Sequence, residues 1–153
     1  MHVMWRPLKD RSPLLYEPVS DNPIEIKLAN MCAAIAAGAD PNELDGSENL
    51  RVGRPLHYAI CDDAFVNYEN LKKNLPIVKL LLEAGADPRL PGVLVERYPT
   101  MGASPLQSLR LWLELFERDS TSFGPEDTAL KPFYEAAYKE MKKVADKLDG
   151  MFA

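Results

Sequence analysis

The sequence predicts an all-α fold made of stacked helical hairpins. Three observations predict it. The pentapeptide Ala37-Gly38-Ala39-Asp40-Pro41 recurs identically as Ala84-Gly85-Ala86-Asp87-Pro88, 47 residues further on. Both copies close an apolar segment of helical period, and repetition on that scale is the pattern of helical hairpins laid side by side. Prolines stand at the openings of the apolar segments, at Pro23, Pro55, Pro76 and Pro105, where a helix loses nothing by the missing N–H. Glycines stand just past two of the segments, at Gly38 and Gly85, where a left-handed C-terminal cap suits glycine best.

Residues 1–20 carry Trp5, Leu8, Leu14, Leu15, Tyr16 and Val19, but Pro7, Pro13 and Pro18 break any long helix. They read as a cap over the exposed end of the stack. Ser12-Pro13-Leu14-Leu15 echoes the later helix openings. Asn22-Pro23-Ile24-Glu25 starts the next helix, with Asn22 as cap and Glu25 completing a capping box. Ile24, Leu28, Met31 and Ile35 fall on one face. Residues 42–52 are polar, with an Asp45-Gly46 turn. Leu56, Ala59 and Ile60 follow Pro55 at helical spacing, and Pro76 opens a helix whose apolar side is Ile77, Val78, Leu81 and Leu82. Between them, Phe65, Val66 and Tyr68 need cover.

Residues 90–102 contain Pro91-Gly92 and Pro99, which exclude helix, around the β-favouring Val93, Leu94 and Val95. Ser104 caps and Pro105 opens a third apolar helix with Leu106, Leu109, Trp112, Leu113 and Phe116 on one face. A polar loop over 119–128 leads to a last helix carrying Phe133, Ala137, Met141, Val144 and Leu148, with Gly150 as its stop.

The chain has 153 residues, enough for one domain with a real core. With 46% hydrophobic and 27% charged residues, composition argues against disorder. A net charge of −5 and a pI near 5.1 disfavour nucleic acid as the main partner. No apolar run is long enough for a membrane span, and the first residues lack the apolar core of a signal peptide. Cys32 and Cys61 fall in expected helices, which suggests reduced, packed thiols.

The segment Arg54-Pro55-Leu56-His57-Tyr58-Ala59 resembles the Thr-Pro-Leu-His-x-Ala signature of ankyrin repeats. Residues 77–88 resemble that repeat's second helix and exit. The resemblance spans 22–116, firmest at 55–88, partial at 24–42 and weaker at 104–116, where Gln107 stands in the histidine's place. It implies an N-terminal cap over 1–21, a partial repeat over 22–42, a repeat over 53–88 with an insertion at 63–74, and a degenerate repeat with C-terminal cap over 104–150. Against the family period of about 33 residues, roughly 10 extra fall in 63–74 and about four in 42–52. Arg54 replaces the usual threonine, and with it that threonine's cap hydrogen bond. The resemblance also implies that His57 bonds to backbone and ties adjacent repeats together.

Motifs for chemistry are sparse. Two histidines and two cysteines, without Cys-x-x-Cys or His-x-x-x-His spacing, make no zinc site. Cys61 lies four residues after His57, so a helix would let the two share a face, but Asp62 and Asp63 would raise the thiol pKa. Those aspartates read as an acidic ledge with Glu43, Asp45 and Glu48, suited to a basic partner segment. No glycine-rich phosphate loop occurs, and the lysines of the last helix read as a solvated face.

The resemblance implies a non-catalytic module that binds another protein, with no cofactor and no metal, monomeric, in the cytoplasm or nucleus. Carried onto this chain, the concave binding surface of fingers and inner helices comprises Leu50, Arg51, Asp62, Thr100, Met101, Leu111 and Trp112. Tyr98 joins them as part of the apolar cluster with Val93, Leu94, Val95 and Met101. The alternative is a small enzyme or enzyme accessory subunit with a site at the long insertions. A third reading is a structural subunit of a larger complex.

Overall fold

The computed structural model describes residues 12–45, 53–62, 65–66, 68–93, 102–118 and 124–151. Among them lie the helices α1 (Pro13–Tyr16), α2 (Ile24–Ala36), α3 (Pro55–Ile60), α4 (Tyr68–Glu83), α5 (Pro105–Arg118) and α6 (Pro125–Met151). A 3-10 turn (Glu17–Val19) follows α1. After α3, β1 (Cys61–Asp62) pairs antiparallel with β2 (Phe65–Val66), Cys61 opposite Val66. Among the described residues the regular structure is helical apart from this ladder.

The helices pack in chain-order pairs: α1 with α2, α3 with α4, α5 with α6. Helices in like positions also meet, α1 with α3 and α3 with α5 in one row, α2 with α4 and α4 with α6 in the other. The core runs between the rows and takes a wholly buried residue from every helix: Leu14, Met31, Ile60, Leu81, Leu109 and Met141.

The repeated pentapeptide folds the same way twice. Gly38 N–H donates to Ile35 O and Ala39 N–H to Ala34 O; Gly85 N–H donates to Leu82 O and Ala86 N–H to Leu81 O. Each is a Schellman cap, which pairs helix-end carbonyls that would otherwise be orphaned. It needs a left-handed residue, and Gly38 and Gly85 have φ of 98° and 105°. Asp40 Oδ1 then accepts from Asn42 N–H at 2.8 Å, and Asp87 Oδ1 from Arg89 N–H at 3.0 Å. These Asx turns send both chains away from the helices in the same direction of bonding.

Several elements differ from the sequence reading. Pro76 does not open a helix: α4 begins at Tyr68 and carries Pro76 inside. The upstream turns hold because Leu71 and Asn74 are fully buried. The Asn74 amide donates to Pro18 O at 2.8 Å and to Ala59 O at 3.2 Å. That packing outweighs the hydrogen bond a mid-helix proline forfeits. Most of the 63–74 insertion is therefore added helix. Asn22 does not cap α2. Its amide goes to Glu17 Oε1 at 2.9 Å, and Pro23 holds the cap position with no side-chain bond.

The last helix starts at Pro125, inside the expected loop, with Gly124 O accepting from Thr128 N–H. Its buried stripe is Leu130, Tyr134, Ala137, Met141 and Ala145; it keeps the expected Ala137 and Met141, with Val144 packed at its edge, and takes Tyr134 in place of Phe133. Gly150 does not stop it. Arg89, anchored on Asp87, reaches Asp149 and holds the final turn. Cys32 is exposed on α2 and is not a packed thiol, while the Cys61 backbone lies in β1, not in a helix, and its side chain is outside the described residues.

Candidate interaction surface

Three side chains, His57, Arg54 and Asn42, supply hydrogen bonds that join the hairpins near the exits. His57 is fully buried at the start of α3. Its Nδ1 accepts from Arg54 N–H at 3.0 Å, and its Nε2 lies 2.8 Å from Ala103 O. The first bond requires a bare Nδ1, so Nε2 carries the proton and donates to Ala103, the residue before the next hairpin's cap. Burial, the largest cause, lowers its pKa to about 4, against the opposing effect of the Ala103 bond and with a still smaller lowering by Arg54. Both nitrogens of the neutral imidazole are engaged with backbone, which leaves no free nitrogen to accept a substrate's proton.

Arg54 does not reproduce a threonine cap. Its Nε donates to Pro91 O at 2.8 Å and its Nη1 to Asn42 O at 2.7 Å, bridging the segments that leave both exits. Asn42 completes the junction. Its Nδ2 donates to Gly85 O at 3.1 Å and its Oδ1 accepts from Asp87 N–H at 2.7 Å. One amide thus closes on the backbone of the other exit with both its ends.

The expected acidic ledge is not a free surface. Asp45 is buried, accepts from Tyr58 O–H at 2.8 Å, and donates its own N–H to Gly53 O at 2.8 Å. Glu43 is half-buried and accepts from Ser12 O–H at 2.7 Å. Burial, the largest cause, raises its pKa. Both carboxylates are held where the chain leaves the first exit, and each is served there by a hydroxyl donor, which offsets part of the desolvation. Glu48 and Asp63 lie outside the described residues.

Of the eight expected partner-binding residues, Leu50, Arg51, Tyr98, Thr100 and Met101 lie outside the described residues, as do Leu94 and Val95. The Asp62 backbone is in β1, and its side chain is also outside them. Leu111 is 52% exposed on α5. Trp112 instead packs, half-buried, against the core. The helix turns one residue through about 100°, which is enough to send these two neighbours to different faces. Leu115 was missed by the sequence reading: it is 40% exposed, one turn beyond Leu111. The signal was its spacing of four from Leu111 outside the stripe of Leu109, Trp112 and Phe116. Arg110 and Glu114 flank the pair with an ion pair at 3.1 Å. Val93, at the far side of the second exit, is also exposed.

Two clefts lie elsewhere. One of about 530 Å³ runs between α4 and α6, with Leu82 and Val144 between Lys79, Lys143, Lys147, Glu83 and Glu140. The other, about 340 Å³, sits at the start of α2 beside Lys27, Lys73 and Asn74. Among the described residues, no group of histidine, cysteine, aspartate or glutamate side chains is placed to hold a metal ion. Nor is any described helix long and apolar enough to cross a membrane. The chain matches no family model, no curated protein and no solved structure.

Proposed function

We propose that this chain is an ankyrin-like stack of three helical hairpins that binds another protein without catalysis. The observation that carries the reading is the pair Leu111 and Leu115, left exposed on α5 while the same helix buries Leu109 and Phe116. A helix in a row that meets its neighbours through one face offers the opposite face to a partner. Two leucines one turn apart there are the kind of apolar anchor that interfaces use. The twice-built exit, the His57 tie to the following hairpin and the Asn42 clasp support the ankyrin-like reading, because each serves one hairpin by bonding to the next.

In this reading the stack is scaffold and the segments between hairpins, with the α5 face, are the working surface. Most polar groups at the junctions are spent on cohesion, which favours binding over chemistry. The test is affinity capture followed by mass spectrometry with the intact chain and with Leu111→Asp/Leu115→Asp. The double variant should keep its helical circular dichroism and its melting temperature, because both sites are exposed, and should lose the partner that the parent chain retains. Retention of that partner at full yield would refute the α5 surface.

A further inference from the structure

We propose that the cleft at the start of α2 binds a small carboxylate carrying an N–H or O–H donor on the neighbouring carbon, the pattern of an α-hydroxy or α-amino acid. The cleft has a volume of about 340 Å³ and is lined by Asn22, Pro23, Ile24, Lys27, Lys73 and Asn74. It is separate from the α5 face and does not depend on the docking proposal.

Three features point to this chemistry. The first is a buried acceptor without a donor. Asn74 is fully buried, its Nδ2 is committed to Pro18 O and Ala59 O, and its Oδ1 has no partner. The two carbonyls fix the amide orientation, so a flip cannot relieve the oxygen. An unpaired buried oxygen of this kind calls for a donor from outside the chain.

The second feature is a buried cation that is poorly served. Lys27 is only 6% exposed, and its Nζ donates to Pro18 O at 3.4 Å, a long bond. Burial, the largest cause, lowers its pKa against the opposing pull of Glu17; Lys73 lowers it further, and Asp21 opposes with the smallest effect. Glu17 accepts from Ser20, Asn22 and Asn30, and among the described residues the bond given for Lys27 Nζ goes to Pro18 O and not to Glu17. A carboxylate between Lys27 and Lys73 would give the buried ammonium a counter-charge at hydrogen-bond range.

The third feature is the uncapped end of α2. No side chain caps it, and Ile26 and Lys27 N–H both donate to Pro23 O. That leaves the Ile24 and Glu25 N–H groups without an acceptor among the described residues. The positive end of a helix favours an anion. The carboxylate therefore has two ammonium groups and a helix end, and the adjacent donor has Asn74 Oδ1. The nearby Glu17 and Asp21 make a doubly charged anion a poorer fit than a monoanion, and favour an α-ammonium group over a hydroxyl.

The probes are lactate, propionate and alanine at millimolar concentration, titrated into the full chain and followed by amide chemical shifts and calorimetry. Lactate and alanine should shift the amides of 22–27 and 73–74 and raise the titration midpoint of Lys27. Propionate, which lacks the donor, should bind about fivefold more weakly, the value of one hydrogen bond near 1 kcal/mol. Lys27→Met should abolish binding, and the exposed Lys73→Ala should weaken it without changing the melting temperature, which keeps the test independent of any folding defect at Lys27. The proposal fails if none of the probes shifts these amides, or if lactate and propionate bind equally.

Discussion

His57 and Gln107 stand at the same place in two successive hairpins and solve the same local problem with different chemistry. Each lies three residues after the residue that precedes its helix. His57 Nδ1 accepts from Arg54 N–H at 3.0 Å, and Gln107 Oε1 accepts from Ser104 N–H at 3.4 Å. Ser104 Oγ returns a bond from Gln107 N–H at 3.1 Å, closing a capping box that Arg54 cannot make. The difference lies at the other end of the side chain. His57 has a second nitrogen, which reaches Ala103 of the next hairpin. Gln107 makes the cap with its single carboxamide oxygen. A histidine here is a cap and a tie in one ring, while the glutamine serves as a cap.

Mutation can break this comparison. The largest effect should come from His57→Ala, which leaves a cavity, an unpaired Arg54 N–H and an unpaired Ala103 O. It should cost about 3 kcal/mol or more by denaturant unfolding. Retained stability would mean that the tie is dispensable. The same residue gives the stability a pH dependence. His57 has a folded pKa of about 4 and an ordinary value of 6.5 when unfolded. The unfolded chain therefore binds the proton first, and stability present above pH 6.5 should fall as pH drops toward 4. The loss should approach about 3 kcal/mol over that window. His57→Gln should keep the cap, as Gln107 does, and remove this dependence. An unchanged pH profile in that variant would assign the acid sensitivity to other groups.

Smaller effects sharpen the comparison of the two exits. Asn42→Ala removes both bonds to the second exit and should cost about 1–2 kcal/mol. Proteolysis or hydrogen exchange should then show protection lost at 85–87 before the helices open. Gly38→Ala and Gly85→Ala should each cost about 1 kcal/mol. A Cβ at either position meets nothing within 4 Å, so only the backbone conformation is penalised. Clearly unequal losses by thermal unfolding would show that the two caps are not the equivalents their bonding makes them. The smallest loss, about 0.5–1 kcal/mol, should follow Gln107→Ala, because Ser104 still caps the helix.

How much of the candidate surface was readable follows the same division between local and distant causes. Leu111 was legible because it falls off the apolar stripe of its own helix. Trp112 was read both as part of the apolar stripe of its helix and as surface, and its half-buried packing against the core follows the stripe. Arg54 was legible as a departure from the resembling pattern, but its bonds to Pro91 and Asn42 were not, since they lie 37 and 12 residues away in sequence. The cleft at α2 was hidden by the expectation that Asn22 would cap. It does not, because Glu17 draws its amide away.

What the sequence by itself determined were the features that local chemistry decides. The glycine exits, the Pro55 and Pro105 openings and the apolar stripes of α2 and α5 follow from left-handed φ, the missing proline N–H and helical spacing, which act within a few residues. What only the tertiary structure decided were the features set by burial. A proline can sit inside α4 because Leu71 and Asn74 are buried on its upstream turns. Asp45 can be an internal acceptor because Tyr58 O–H meets it. Gly150 can continue α6 because Arg89 holds Asp149. In each case a distant contact outweighs a local preference worth about 1–3 kcal/mol, and the identity of that contact is not written in the neighbouring residues.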